Sequence, residues 1–127
     1  MNVLFIVLSM LFCHVVDDYY LQGWLASAKQ KKWWQENAPA KLYKYDYIWA
    51  LIMHSCSWSF MTMLPIAISM SFNISLLFIA IFALNVLIHA ITDNEKANNG
   101  TINLWVDQII HMGQIALTAL VLLMGTI

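Results

Sequence analysis

Histidine and aspartate recur four residues apart at three places in the sequence. The pairs are His14 with Asp18, His89 with Asp93, and Asp107 with His111. Residues at this spacing share one face of a helix, with Cβ atoms about 5–6 Å apart, so each pair can direct an imidazole and a carboxylate to one point. A fourth histidine, His54, has no carboxylate at this spacing on its own helix and is the weakest ligand candidate.

Imidazoles and carboxylates together form a nitrogen and oxygen ligand set. Such a set suits Zn²⁺, Mn²⁺ or Fe²⁺ better than a metal that prefers thiolates. We therefore expect a divalent transition-metal centre of one or two ions, with zinc as the first choice and manganese or iron as alternatives. Its candidate ligands are His14, Asp18, His54, His89, Asp93, Asp107 and His111.

Other polar residues near these pairs have expected supporting roles. Gln22, Lys96 and Gln108 are expected to hold the ligands in place or to contact a substrate. The identity of the catalytic residue stays open, with Asp18, Asp93 and Asp107 as the candidates for a general base. Asp17 lies three residues from His14, fits the spacing less well, and is left out of the set.

The composition indicates the elements that must position these side chains. Hydrophobic residues make up 61% of the chain and charged residues 10%, whereas soluble domains average about 25% charged residues. A protein of this size cannot bury so many hydrophobic side chains in its own core, but a lipid bilayer can surround them. We predict a single all-α domain over residues 1–127, an integral membrane four-helix bundle. Its helices are expected at about residues 2–26, 46–70, 73–96 and 102–125, with a kink at Pro65.

A basic and aromatic segment, residues 27–45, separates the first two predicted helices. It holds five of the six lysines together with Trp33 and Trp34, a composition typical of an interfacial segment at the membrane surface. Lysine-rich loops stay in the cytoplasm, so residues 27–45 and 94–101 are expected there, with both termini outside a bacterial inner membrane. Membrane lipid is the expected partner and nucleic acid is not, while a homo-oligomer stays open.

The depth of the histidines in the predicted helices agrees with a shared site. They lie about 12, 8, 7 and 9 residues from the predicted cytoplasmic boundary, a spread of only about 7 Å at 1.5 Å per residue. All four imidazoles are therefore expected in one layer of the inner half, with the carboxylates slightly closer to the surface.

The ordered motifs resemble a known family over nearly the whole chain. They are His14-x-x-x-Asp18-x-x-Leu21-Gln22, then His54, His89-x-x-x-Asp93-x-x-Lys96, and Asp107-Gln108-x-x-His111. This series resembles a family of small bacterial and bacteriophage membrane proteins of unassigned function, and is more distantly similar to membrane-bound metal-dependent hydrolases. The resemblance implies the same seven histidine and aspartate residues as the working site. Tyr19 stands where that family usually has phenylalanine.

Three functions follow from a buried histidine and aspartate layer. The first is a metal-dependent hydrolase that acts on a lipid or lipid-linked substrate at the cytoplasmic leaflet. The second is a non-catalytic bacterial or phage interaction protein whose polar layer only specifies helix packing. The third is a metal or proton transporter, which the wholly apolar residues 3–8 and 76–84 disfavour, because they offer no polar path to the outer face.

Overall fold

The computed structural model describes residues 2–124, and these residues are all helical or in loops, without a strand. Four helical segments are long and apolar enough to cross a membrane, namely Val3–Leu21, Lys41–Ser69, Leu76–Asn99 and Leu104–Met124. Their α-helices are α1 (Val3–Val16), α4 (Asp46–Ser69), α5 (Leu76–Asn94) and α6 (Leu104–Met124). Two short helices, α2 (Leu25–Ala28) and α3 (Lys31–Asn37), lie in the connection between α1 and α4. This confirms the all-helical prediction with four candidate spans.

Local side-chain chemistry explains where two of the long helices begin. The Asn2 side chain accepts a hydrogen bond of 2.8 Å from the backbone N–H of Leu4, and the Ser75 hydroxyl accepts one of 3.1 Å from that of Phe78. Asparagine and serine are favoured N-caps because they satisfy N–H groups that lack a helical partner. Helix α5 therefore begins at Leu76, three residues after the predicted start at residue 73.

The first span ends earlier than the predicted residue 26. Helix α1 continues into a π-helical turn, Asp17–Leu21, and the chain then turns at Gly23, where φ is +51°. Glycine adopts this left-handed conformation without steric cost. A second π-helical turn, Glu95–Asn99, extends α5 and ends at Gly100, where φ is +65°. The predicted end of the fourth span, residue 125, lies outside the described residues.

The connection between α1 and α4 folds back onto the bundle. In it, the indole N–H of Trp34 donates to the Ala28 carbonyl at 2.6 Å, and the rings of Trp33 and Trp34 meet edge to face. We call the end of the bundle that carries this connection and the turn at 95–103 the basic end.

Helix α4 is the centre of the bundle, packed against α1, α5 and α6. Pro65 lies inside α4, which is helical from Asp46 to Ser69. At the end opposite the basic end, the core is apolar and consists mainly of Ile6, Met10, Met63, Ile66, Phe78, Ile115 and Leu122. Large apolar side chains such as Phe12, Leu87 and Leu117 are exposed on the outside of the bundle. Such a surface is typical of helices that face lipid.

The two cysteines lie outside the polar core of the bundle. Cys13 and Cys56 are free thiols and both are half-buried. They take no part in the polar cluster described below.

Candidate metal centre

Four histidines, one from each long helix, meet inside the bundle. The Nε2 atoms of His54 and His89 are 3.2 Å apart, and the rings of His89 and His111 stack with centroids 4.1 Å apart. His14 lies beside them, with its ring centroid 5.9 Å from that of His111. All four side chains are fully buried. The structure therefore places the four imidazoles in one layer.

Carboxylates surround this layer at short distances. Asp18 Oδ1 lies 3.3 Å from His54 Nε2, and Asp93 Oδ2 lies 3.4 Å from the same nitrogen. His111 Nε2 is 3.3 Å from Asp107 Oδ1 and 3.5 Å from Asp93 Oδ1. Each of these three carboxylates thus contacts at least one histidine. That histidine lies either on another helix or four residues away on the same helix.

Two overlapping groups of ligand atoms result. Asp18, His54 and His89 form one group, and His89, Asp93 and His111 form the other; within each group the atoms lie within 4.8 Å of one another. At zinc bond lengths of ~2.0–2.2 Å, two ligands of a tetrahedral ion lie about 3.3–3.6 Å apart. The contacts described above are close to that separation, so these buried residues could hold a metal ion.

His54 is more central than its sequence pattern indicated. Its helix supplies no aspartate partner, but α1 and α5 do, so that its Nε2 contacts Asp18, His89 and Asp93. On its other side, Nδ1 lies 3.8 Å from Asp17 Oδ2. The ranking of His54 as the weakest ligand candidate considered only partners on its own helix, whereas its partners come from α1 and α5.

His14 has a different environment from the other three histidines. The indole N–H of Trp58 can only donate, and it donates to His14 Nδ1 at 2.7 Å. The His14 proton must then be on Nε2, which is 3.0 Å from Gln108 Oε1. The Gln108 amide nitrogen donates to Asp107 Oδ2 at 3.0 Å, which directs its oxygen toward His14. Both nitrogens of His14 are used, so in this arrangement no lone pair is left for an ion.

His111, in contrast to His14, keeps one ring nitrogen free of hydrogen bonds. Its Nδ1 lies 3.1 Å from Gln114 Oε1, and the Gln114 amide nitrogen donates to the Asn85 carbonyl at 3.1 Å. These contacts place the proton of a neutral His111 on Nδ1 and leave the lone pair on Nε2. That lone pair points toward carboxylate oxygens of Asp93 and Asp107, and neither Nε2 nor Asp107 Oδ1 has a hydrogen-bond partner. Two acceptors facing each other require a cation between them, either a proton or a metal ion.

Two lysines complete the cluster. Lys29, in the connection after α1, is buried and its Nζ lies 2.6 Å from Asp93 Oδ2. Lys96 Nζ lies 2.6 Å from Asp107 Oδ2. In both pairs the Oδ2 atom contacts the lysine, while Oδ1 faces His111. The lysines therefore orient the carboxylates and leave one oxygen of each directed into the cluster.

Lys29 reaches the cluster because Asn98 holds the connection in place. The Asn98 side chain donates to the Lys29 carbonyl at 3.0 Å and accepts from the Lys31 N–H at 2.7 Å. Asn98 belongs to the π-helical turn that follows Asp93 in α5. The turn and the connection thus join at the basic end and close over the histidines.

Gln22 supports the cluster only through the backbone. Its amide nitrogen donates to the main-chain carbonyl of Asp18. No ion pair or side-chain hydrogen bond joins Gln22 to a histidine in the described part of the chain. Of the three predicted supporting residues, Gln108 and Lys96 contact the site directly through His14 and Asp107.

Sequence reasoning missed three residues of this site. Asp17 is buried and accepts a hydrogen bond of 2.5 Å from Ser57 beside His54. Asp17 and Asp18 both turn inward where the helix becomes π-helical, and the α-helical spacing rule excluded that arrangement. Trp58 lies four residues after His54, on the same helix face, and its tie to His14 depends on a contact between two helices. Lys29 was one of several loop lysines, and nothing local distinguished it from its neighbours.

Comparison with known proteins gives one match. Residues 5–126 match the model of a family described as protein of unknown function (DUF3307). No curated protein and no solved structure matches the chain. The match covers nearly the whole chain and shows no similarity to hydrolases.

Proposed function

The chain belongs to the DUF3307 family, and from that premise we propose that it is a membrane-embedded metal-binding protein. The ion is divalent, with zinc as the first choice, and lies among His54, His89, His111, Asp18 and Asp93. One observation carries this proposal, the balance of charge inside the buried cluster.

Four aspartates and two lysines make up the fixed charges of the cluster. Asp17, Asp18, Asp93 and Asp107 are each at most 9% exposed, whereas within residues 2–124 the only lysines in contact with them are Lys29 and Lys96. Four negative and two positive charges leave two negative charges, provided that the histidines are neutral. Uncompensated charge away from water is costly. One divalent cation supplies the missing charge, and the lone pair of His111 Nε2 is directed to receive it.

The sharing of His89 favours one ion over two. Both groups of ligand atoms include His89, and the Nε2 lone pair of an imidazole binds a single ion. The cation then lies between the two groups and draws on both. His14, whose nitrogens are both hydrogen-bonded, acts with Trp58 and Gln108 as a support of the layer.

The direct test is elemental analysis of the full chain purified in detergent. We expect about one transition-metal ion per chain, and loss of that ion in a His89→Ala/His111→Ala variant. The matched control is Thr118→Val, which removes a hydrogen bond between α5 and α6 without touching the cluster. Circular dichroism checks that each variant is helical.

The outcomes separate three readings of the site. Wild-type protein that folds without metal and takes up no added zinc would overturn the proposal and favour a packing role, with protonated histidines supplying the charge. Bound metal together with ion flux across vesicles would favour transport. Described residues beyond the cluster disfavour transport, because Ile6, Ile66, Phe78 and Leu122 fill the opposite end of the bundle.

A second candidate function is hydrolysis of a lipid or lipid-linked ester or phosphoester. The observation that favours it is the position of Asp18, which at 9% exposure is the most accessible carboxylate of the cluster. A bound ion would lower the pKa of a water molecule toward neutrality, and an aspartate not bound to the ion would accept its proton. Zinc-loaded protein in vesicles should then release lipid products detectable by mass spectrometry, and the His89→Ala/His111→Ala variant should not.

We further propose a bacterial inner membrane as the location, with the basic end in the cytoplasm and both termini outside. The lysines of the α1–α4 connection support this orientation. A Lys44→Cys variant should resist a membrane-impermeant thiol reagent in intact cells and react with it after lysis. Labelling in intact cells would reverse the orientation.

A further inference from the structure

A basic cleft lies outside the histidine cluster, between α3 and the start of α4. It has a volume of about 350 Å³ and is lined by lysines and aromatic residues, among them Lys31, Trp34, Lys41, Tyr43, Lys44 and Tyr47. No aspartate or glutamate of the described residues lines it. A cleft of this size is large enough to hold a small polar group.

The lysines of this cleft have no carboxylate partners among residues 2–124. Lys31 Nζ lies over the Tyr47 ring at 4.9 Å from its centroid, and Lys44 Nζ lies over the Tyr45 ring at 5.2 Å. By contrast, Lys29 and Lys96 are paired with aspartates in the cluster, and Lys32 Nζ is 3.7 Å from Glu36 Oε1. Three lysines thus line one cleft without a carboxylate partner of their own, and such a group of lysines favours an anion.

An apolar groove adjoins the basic cleft. The groove has a volume of about 430 Å³ and includes Trp24, Trp49, Ala50 and Met53 in its walls, while Trp34 lines both the groove and the cleft. Asp46 lines the groove and not the cleft. A cationic site that continues into an aromatic and apolar groove matches an amphipathic molecule with an anionic head.

We propose that the cleft binds the phosphate of an anionic phospholipid and that an acyl chain of the same lipid lies in the groove. The lysines supply charge, the tryptophans contact the region where head and chain join, and the groove accepts methylene groups. This site is separate from the metal centre and does not depend on whether a metal binds there.

The test is competition between two lipids for the full chain in detergent, followed by native mass spectrometry. When phosphatidylglycerol and phosphatidylcholine are present in equal amounts, we expect the protein to retain at least about 10-fold more phosphatidylglycerol than phosphatidylcholine. The triple variant Lys31→Gln/Lys41→Gln/Lys44→Gln should lose this preference. Lys32→Gln, on the same short helix but outside the cleft, should retain it.

Two further arms identify the bound molecule. Inorganic phosphate added in excess should displace little of the lipid, because the groove contributes to binding. Met53→Trp, which fills the groove, should weaken lipid retention while the three cleft lysines stay in place. Circular dichroism checks the fold of each variant.

Several results would overturn the proposal. Equal retention of both lipids, or an unchanged preference in the triple variant, would show that the cleft does not select an anionic lipid. An equal loss in Lys32→Gln would indicate diffuse surface charge. Complete displacement by inorganic phosphate would show that the cleft binds free phosphate rather than lipid.

Discussion

The basic end and the opposite end of the bundle fill their buried positions with different chemistry. At the basic end, His54, His89 and His111 contact aspartates from neighbouring helices. At the opposite end, the same helices contribute Ile66, Phe78 and Leu122 to an apolar core. Apolar side chains pack independently of charge and tolerate substitutions that conserve volume. Charged side chains depend on each partner, so removing one leaves another uncompensated.

The boundary between the two ends is a small hydrogen-bonded layer. Asn85 donates to Thr118 at 2.8 Å, and Gln114 donates to Asn85 while its oxygen faces His111. Gln114 therefore belongs to the support of the cluster, whereas Thr118 lies one helical turn farther along α6. The four substitutions below are ordered by expected effect and test whether the two ends respond differently.

The largest effect is expected at Lys29. Lys29→Met leaves Asp93 buried without its ammonium partner, so the free energy of unfolding should fall by about 3–5 kcal/mol. Denaturation of the metal-free protein in detergent, followed by circular dichroism, measures this change. Lys32→Met is the control, since that side chain is 80% exposed. Equal stability of Lys29→Met and wild type would contradict the role of the ion pair, and added Asp93→Asn should recover part of the loss.

The next effect is expected at Gln114. Gln114→Leu removes the acceptor that holds the His111 proton on Nδ1, so zinc affinity should fall by about 10–100-fold. Competition with a chromogenic chelator measures the affinity. If affinity is unchanged, His111 is not a ligand oriented by Gln114, and the charge of the cluster must be balanced in another way.

A smaller effect is expected in the apolar core. Ile66→Val removes one methylene group from a fully buried side chain and should lower the free energy of unfolding by about 0.5–1.5 kcal/mol. Metal content, measured on the same preparation, should stay at the wild-type level. Loss of metal in this variant would show that the two ends are coupled and would remove the contrast between them.

The smallest effect is expected at Thr118. Thr118→Val removes the acceptor of the Asn85 hydrogen bond, and buried polar contacts of this kind in membrane bundles contribute about 0.6 kcal/mol on average. The same denaturation experiment measures it. A loss as large as that of Lys29→Met would place the polar boundary layer, rather than the ion pairs, at the centre of the stability of the bundle.

Much of the fold could be read from local patterns. The apolar runs predicted four helices, and the structure contains four that are long enough to cross a membrane, with ends shifted by a few residues at Leu21 and Leu76. The shifts come from Gly23, which adopts a positive φ, and from Ser75, which caps α5. Both residues are visible in the sequence, but many glycines and serines end no helix.

The i,i+4 pairs His14/Asp18, His89/Asp93 and Asp107/His111 were set by helical periodicity alone, because residues four apart share a face in any α-helix. Which imidazole keeps a free lone pair depended on how the helices approach one another. That approach placed Trp58 and Gln108 on His14, and it left Nε2 of His111 facing two carboxylates. It also brought Lys29 to Asp93, 64 residues away, a contact that no local spacing rule could specify.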